Sequence, residues 1–319
     1  MPGAEPPVIV LGVRRSGTTL LRVMLDRNRA LAIPDESYFV PQLAQRHPTP
    51  VDPSAFLGDL RRLPTLVEWQ LSPDAVSARL RAGMTSGEAI GAVFAAYAAG
   101  HGKERWGDKT PLYMQHLGLL ERLFPDARYV HLIRDGRDAA LSFLSVPRGL
   151  MTEGWGHPRD VRGFACQWES EIRAARSLGS RLGPDRYLEL RYERLVAEPE
   201  AIVRRACAFA GLEFDAAMLD YVGRTDSGRK EHQQRLNEPP RRGVRDWRAE
   251  MAPSDRRAFE DVAGALLDAL GYEVERKGSA RLRVASYRAR TAAWRGVGAL
   301  VQRSPLWSRR HPVLQQPGA

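Results

Sequence analysis

The chain alternates between short, dense apolar runs and longer segments whose apolar residues recur every three or four positions. "PPVIVLGV", residues 6–13, is continuous, β-branched and bounded by prolines and a glycine, the pattern of a strand buried on both faces. "SGTTLLRVMLDRN" follows with Leu20, Leu21, Met24 and Leu25 at helical spacing. Further strands are predicted at "ERWGDK", "ARYVHLIRD" and "DRYLELRYE". Helices are predicted from near Asp35, over "GEAIGAVFAAYAAGHG", "PLYMQHLGLLERLF", "GRDAALSFLS", "DVRGFACQWESEIRAARSL", "AEPEAIVRRACAFAGL" and "SDRRAFEDVAGALLDALGY". Residues 48–82 are proline-rich and suggest short helices. Strands alternating with helices argue for an α/β fold, a parallel sheet covered by helices on both faces. The simplest division is one domain over 1–275 and a tail over 276–319.

Charge sharpens that division. The net charge is +10, but residues 276–319 hold nine Arg, one Lys and no acidic residue, while residues 1–275 balance at 38 basic and 38 acidic groups. The basic field therefore belongs to the tail, and nothing in the body points to nucleic acid. The tail's arginines scatter around a helical axis. A solvated extension, a segment packed on the body and a contact with an anionic surface all fit it. No stretch of about 18 apolar residues spans a membrane, and the apolar run before Gly12 is too short for a signal peptide. A cytoplasmic location is the expectation. Cys166 and Cys207 match no metal or redox spacing and read as buried apolar residues. His101, His116 and His131 have no ligand spacing either, so no metal is expected.

Candidate chemistry begins with "GVRRSGTT", residues 12–19, between the first strand and helix. It has the Gly-x-x-x-x-Gly frame in which successive backbone N–H groups converge on an anion at a helix N-terminus. The lysine of an ATP-binding loop is replaced by Thr18, with Thr19 behind it, and the cations come earlier as Arg14 and Arg15. That set suits a short anionic chain better than a magnesium-bound triphosphate. A second anion site is predicted where "HLIRD" ends a strand at Arg134 and the next helix carries Ser142. In a doubly wound sheet both sites lie at the carboxyl ends of the strands, one crevice for a nucleotide phosphorylated in two places. The alternative is that Arg134 pairs with Asp135 or Asp138 and merely caps the turn.

The stretches "VIVLGVRRSGTTLLRVMLDRN", "DKTPLYMQHLGLLERLFPDARYVHLIRDGRDAALS" and "RYERLVAEPEAIVRRACAFAGL" together resemble the sulfotransferases that use 3′-phosphoadenosine 5′-phosphosulfate (PAPS). The nearer likeness is to the branch of tyrosylprotein sulfotransferases and bacterial relatives, over most of residues 7–215. The resemblance implies a five-stranded parallel sheet like that of the phosphate-loop kinases. It implies a 5′-phosphosulfate loop at Arg14, Arg15, Ser16, Gly17, Thr18 and Thr19, a 3′-phosphate grip at Arg134 and Ser142, and Tyr192 near the nucleotide. The branch's glutamate base maps onto Glu36 of "IPDESYF" and its catalytic lysine onto Lys109 of "GDKTP", one of only four lysines. Arg15 and Lys109 would balance charge on the leaving group, with a hydroxyl-bearing molecule as acceptor. Glu36 could instead be a helix-N-terminal carboxylate, a job Asp35 would do as well. Tyr38 stands where the branch has an arginine, so the acceptor does not transfer. Asn237 stands where family members have a nucleotide-contacting lysine ten residues before a tryptophan, here Trp247; Arg241 and Arg242 are candidate substitutes. Trp155, Trp168 and Trp247 read as core or pocket wall, and 147–160 as a lid or surface loop. A small-molecule kinase and a non-catalytic nucleotide-binding relative are the competing functions.

Overall fold

The computed structural model describes residues 5–146, 158–221 and 245–303. In chain order its elements are β1 (Val8–Leu11), α1 (Thr18–Asp26), β2 (Leu31–Ala32), α2 (Val40–Arg46), α3 (Pro53–Leu60), α4 (Pro64–Glu68), α5 (Pro73–Ser77) and α6 (Ser86–Gly100). Next come β3 (Arg105–Asp108), a 3₁₀ turn (Pro111–Gln115), α7 (Leu117–Leu123), β4 (Arg128–Ile133), α8 (Gly136–Leu144), α9 (Val161–Leu182) and β5 (Tyr187–Arg191). Then follow α10 (Tyr192–Ala197), α11 (Pro199–Ala210), a second 3₁₀ turn (Ala216–Leu219), α12 (Trp247–Glu250), α13 (Pro253–Ala269) and α14 (Arg281–Arg303). The proline-rich stretch becomes α3, α4 and α5, each with proline in its first turn, where the missing N–H costs nothing.

The five strands are parallel in the order β2-β3-β1-β4-β5. Strand periodicity sends alternate residues to opposite faces. Ile9, Leu11, Tyr129 and Ile133 join a core with α2, α6, α9 and α13, while Val8, Val10, Val130 and Leu132 join a second core with α1, α10 and α11. Each such side chain contributes about 1.5–3 kcal/mol by leaving water, so both faces of the sheet are strongly held. Cys166 and Cys207 are buried thiols, and Trp168 and Trp247 are core residues.

The fifth strand that the resemblance implies is β2, only two residues long and too short to register as an apolar run. Two other expectations are corrected. The helix expected near Asp35 starts at Val40, so residues 35–39 are loop. The helix expected over 111–124 is a 3₁₀ turn and then α7, broken at His116. In the basic segment, α14 lies on α9 and α13, with Val284 and Tyr287 buried. No helix among the described residues is long and apolar enough to cross a membrane.

Candidate active site

The strand order lines up the sequence-derived candidates along one edge. Each strand hands its carboxyl end to one of them: β1 to the glycine loop, β3 directly to Lys109, β4 directly to Arg134, β5 directly to Tyr192, and β2 to the loop bearing Glu36. Parallel strands lie about 4.8 Å apart, so the edge reads Glu36, Lys109, glycine loop, Arg134, Tyr192 in steps of that order.

The loop's shape depends on its two glycines. A Cβ at Gly12 would lie 2.5 Å from Thr18 Cγ2 and 2.8 Å from the Leu132 carbonyl. Gly17 caps α1 with φ 85°, in the left-handed region that glycine enters freely. Arg15 is also left-handed, at φ 69°. For a residue with a Cβ that is a strained conformation, of the kind found at binding loops. The Arg15 guanidinium donates from Nε to Ser142 Oγ at 3.0 Å, joining the two motifs that the sequence places 127 positions apart.

Arg134 completes this half of the site. Its Nη1 donates to the Arg15 carbonyl at 3.1 Å, and its guanidinium carbon lies 4.5 Å from the centre of the Tyr192 ring. That ring presses on the loop, since a Cβ at Gly17 would lie 2.3 Å from Tyr192 Cδ2. The capping alternative for Arg134 is met by another residue: Asp135 accepts from the Arg137 N–H at 2.9 Å and from Arg137 Nη2 at 2.7 Å. Arg137 also binds Glu260 at 2.8 Å and stacks 3.6 Å from the centre of the Trp247 ring. Asp138 accepts from the Trp247 N–H at 2.9 Å; burial, then the neighbouring Asp135 charge, pushes it up to about 6. Ser16 Oγ and Arg134 Nε are buried with no hydrogen-bond partner. Buried donors of this kind call for an explanation, and an anion held at the loop supplies one.

The other half is built around Glu36. Arg22 on α1 binds Asp35 at 3.0 Å and the Ile33 carbonyl at 3.0 Å, which fixes the entry to the loop. Asp35 thus serves as an ion-pair partner rather than as a helix-terminal carboxylate. Lys109, 1% exposed, donates to Thr19 Oγ1 at 3.2 Å and to Glu36 Oε1. The Tyr38 hydroxyl donates to Glu36 Oε2. Burial pushes Glu36 up, but the Lys109 charge and the hydrogen bonds from Lys109 and Tyr38 outweigh it, so the carboxyl sits below its ordinary range. Glu36 is therefore ionised at neutral pH and able to take a proton.

Behind this pair lies a cluster that the motifs did not reveal: Ser37, Asp108, Thr110 and Tyr113. Ser37 Oγ donates to Asp108 Oδ1 at 2.8 Å and lies 2.7 Å from the Tyr113 hydroxyl. Desolvation pushes Asp108 up to about 7. The only sequence signal was the density of hydroxyls around Lys109 in "GDKTPLY" and around Glu36 in "DESYF". Arg241, Arg242 and Asn237, and residues 147–157 of the suggested lid with Trp155, lie outside the described residues. Among the described residues no three His, Cys, Asp or Glu side chains are grouped to hold a metal ion. His131, buried in β4, shares a 2.6 Å hydrogen bond with the Tyr187 hydroxyl, and desolvation lowers it to about 3.

A parallel sheet with a glycine loop, flanking guanidinium groups and a paired lysine and glutamate along its carboxyl edge defines an α/β protein with its candidate residues gathered at one sheet edge. Comparison makes the class specific. The profile of the Sulfotransferase family matches residues 6–216, and the chain belongs to that family. It is 29% identical over 223 residues to protein-tyrosine sulfotransferase A of Caenorhabditis elegans, covering 68% of this chain and 53% of that protein. It is 26% identical over 303 residues to nodulation protein NoeE of Sinorhizobium fredii, covering 83% of this chain and 65% of that one. The chain thus spans about half the length of the tyrosine sulfotransferase it matches. Among solved structures, the sulfotransferase domain from the curacin biosynthetic pathway superposes with a TM-score of 0.59 at 20% identity, over 85% of this chain and 99% of that domain. The likeness establishes the shared sulfotransferase fold.

Proposed function

We propose that this protein transfers a sulfuryl group from PAPS to a hydroxyl acceptor. The observation that carries the reading is the order of groups along the sheet edge, with the Glu36–Lys109 pair on one side of the glycine loop and Arg134 with Tyr192 on the other. In this reading the loop amides, Ser16, Thr18 and Thr19 hold the 5′-phosphosulfate. Arg134, Ser142 and the Tyr192 ring hold the 3′-phosphate side, with Arg14 and Arg15 adding positive charge. The unpartnered Ser16 Oγ and Arg134 Nε fit such a doubly anionic ligand. A lysine behind Gly17 is not needed, because the transferred group is not a magnesium-bound γ-phosphate.

Catalysis is then mainly positioning and charge stabilisation, as in phosphoryl transfer. Glu36 takes the proton of the attacking hydroxyl. Lys109, poised between Thr19 and Glu36, stabilises charge on the transferred group and the leaving phosphate oxygen, with Arg15 on the opposite side. Arg241 and Arg242 are candidates for the nucleotide contact that a lysine makes in family members, in place of Asn237. The acceptor is an alcohol or phenol. Tyr38 in place of the tyrosylprotein branch's arginine separates its acceptor from a simple carry-over.

Calorimetry with PAPS and with adenosine 3′,5′-bisphosphate (PAP) tests the donor, and labelled PAPS over an acceptor panel tests transfer. Glu36→Gln should lower kcat by about 10²–10⁴-fold while leaving PAP affinity intact. No binding heat with either nucleotide refutes the donor, and undiminished turnover in the variant removes Glu36 as base.

A further inference from the structure

Ser37 sits between the base and Tyr38 and is fully buried. Its N–H donates to Thr110 Oγ1 at 3.0 Å and its hydroxyl to Asp108 Oδ1 at 2.8 Å, and Thr110 Oγ1 donates to the same Asp108 oxygen at 3.2 Å. The Tyr113 hydroxyl, 2.7 Å from Ser37 Oγ, accepts from the Val40 N–H at 3.1 Å. All four partners belong to or flank residues 37–40 and 108–113. The loop bearing Glu36 is thereby fastened at two points to the segment bearing Lys109.

Tyr38, between those two points, has φ 53°. A residue with a Cβ in the left-handed region costs about 1–2 kcal/mol and persists only where its surroundings over-determine it. With Ser37 and Val40 both held, the chain has no room to relax, and the Tyr38 phenol meets Glu36. Lys109 meets the other Glu36 oxygen. We infer that Ser37, held by Asp108, Thr110 and Tyr113, is a positioning residue that fixes the angle at which Glu36 meets Lys109 and Tyr38 and so sets the rate of the chemical step. The inference rests on the reading of Glu36 as base.

Asp108 is the hub, because one of its oxygens receives two of the clamp's bonds. The groups facing it are Ser37, Thr110 and Tyr113 with the Lys109 and Glu36 charges. Its other oxygen, Oδ2, is buried with no hydrogen-bond partner. An asparagine carbonyl at this position can accept the same two bonds, so Asp108→Asn preserves the clamp, whereas Ser37→Ala dissolves it.

The test follows the titration of Glu36 by carbon-labelled glutamate NMR, assigned through Glu36→Gln, alongside steady-state kinetics of PAPS turnover. Ser37→Ala is expected to move the Glu36 titration upward, because its two partners no longer converge. It should lower kcat at least tenfold with KM for PAPS changed less than twofold. Asp108→Asn, which keeps both acceptor bonds, should move the Glu36 titration and kcat less than Ser37→Ala does. Should Ser37→Ala fail to fold, Tyr113→Phe, which removes the Val40 anchor, is expected to act in the same direction more weakly. A Ser37→Ala protein with an unmoved Glu36 titration and wild-type kcat overturns the inference. The titration needs no donor, so it reads the clamp even if the wild type binds no PAP, an outcome that would instead overturn the donor assignment.

Discussion

Replacing Gly17 by alanine isolates the contact between the glycine loop and Tyr192. Two terms follow from the geometry. At φ 85° a Cβ brings a backbone penalty of about 1–2 kcal/mol. The same Cβ would lie 2.3 Å from Tyr192 Cδ2 and 2.5 Å from Cε2. Ordinary contact begins near 3.4 Å, so the ring must retreat by about 1 Å. That retreat loosens the stacking of Arg134, whose guanidinium carbon is 4.5 Å from the ring centre, a contact worth about 0.5–2 kcal/mol. The sum is about 1.5–4 kcal/mol of folding stability, or roughly 3–16 °C in Tm at about 2–4 °C per kcal/mol. A double-mutant cycle in urea denaturation separates the terms. In a Tyr192→Ala background the collision is gone, and Gly17→Ala should cost only the backbone term, leaving a coupling of about 1 kcal/mol or more. An equal cost in both backgrounds would refute the contact as the source of the loss. PAP calorimetry on the single variant should show weakened binding, since the same ring movement disturbs Arg134.

Arg134→Ala should weaken PAP binding by about 2 kcal/mol, the worth of a charged hydrogen bond, while adenosine 5′-phosphosulfate, which lacks the 3′-phosphate, loses much less. Equal losses for the two ligands would place Arg134 elsewhere than at the 3′-phosphate. Asp108 gives a pH prediction. Desolvation raises its carboxyl from 3.8 to about 7, so the folded protein keeps a proton that the unfolded chain releases. Stability is therefore lost as pH rises from about 4 to 7, by up to about 4 kcal/mol at 1.36 kcal/mol per pH unit. Asp108→Asn removes that slope, so its urea midpoint should gain on the wild type between pH 5 and pH 8. Midpoints that move in parallel over that window would contradict the assignment.

What the sequence made legible follows from the range of the interactions involved. The strands β1, β4 and β5 and the glycine loop announce themselves locally, through apolar runs and the Gly12–Gly17 spacing. Arg134, Ser142, Tyr192, Glu36 and Lys109 could be named from motifs, and the topology then brings them to one edge. β2 could not be seen, because two residues show no periodicity and its pairing with β3 depends on a partner 74 positions away at Leu31 and Arg105. The clamp was hidden for the same reason: Ser37 and Asp108 are 71 positions apart, and each reads alone as an ordinary polar loop residue. α14 was masked by its composition, since Val284 and Tyr287 are among few apolar residues in a segment dominated by arginine and alanine.

The insertion of β3 between β1 and β2 has an evolutionary corollary. In the proposed reading most of the groups that hold PAPS come from β1, β4 and β5, whereas Glu36, Tyr38 and Lys109 follow the two strands on the opposite flank, whose helices α2 to α6 are contiguous in the chain between residues 40 and 100. On that reading, drift within this contiguous block would remodel the acceptor side and leave most of the groups proposed to hold the nucleotide unchanged. Chimaeras that exchange residues 35–115 between family members should then swap acceptor preference and keep the host's affinity for PAP.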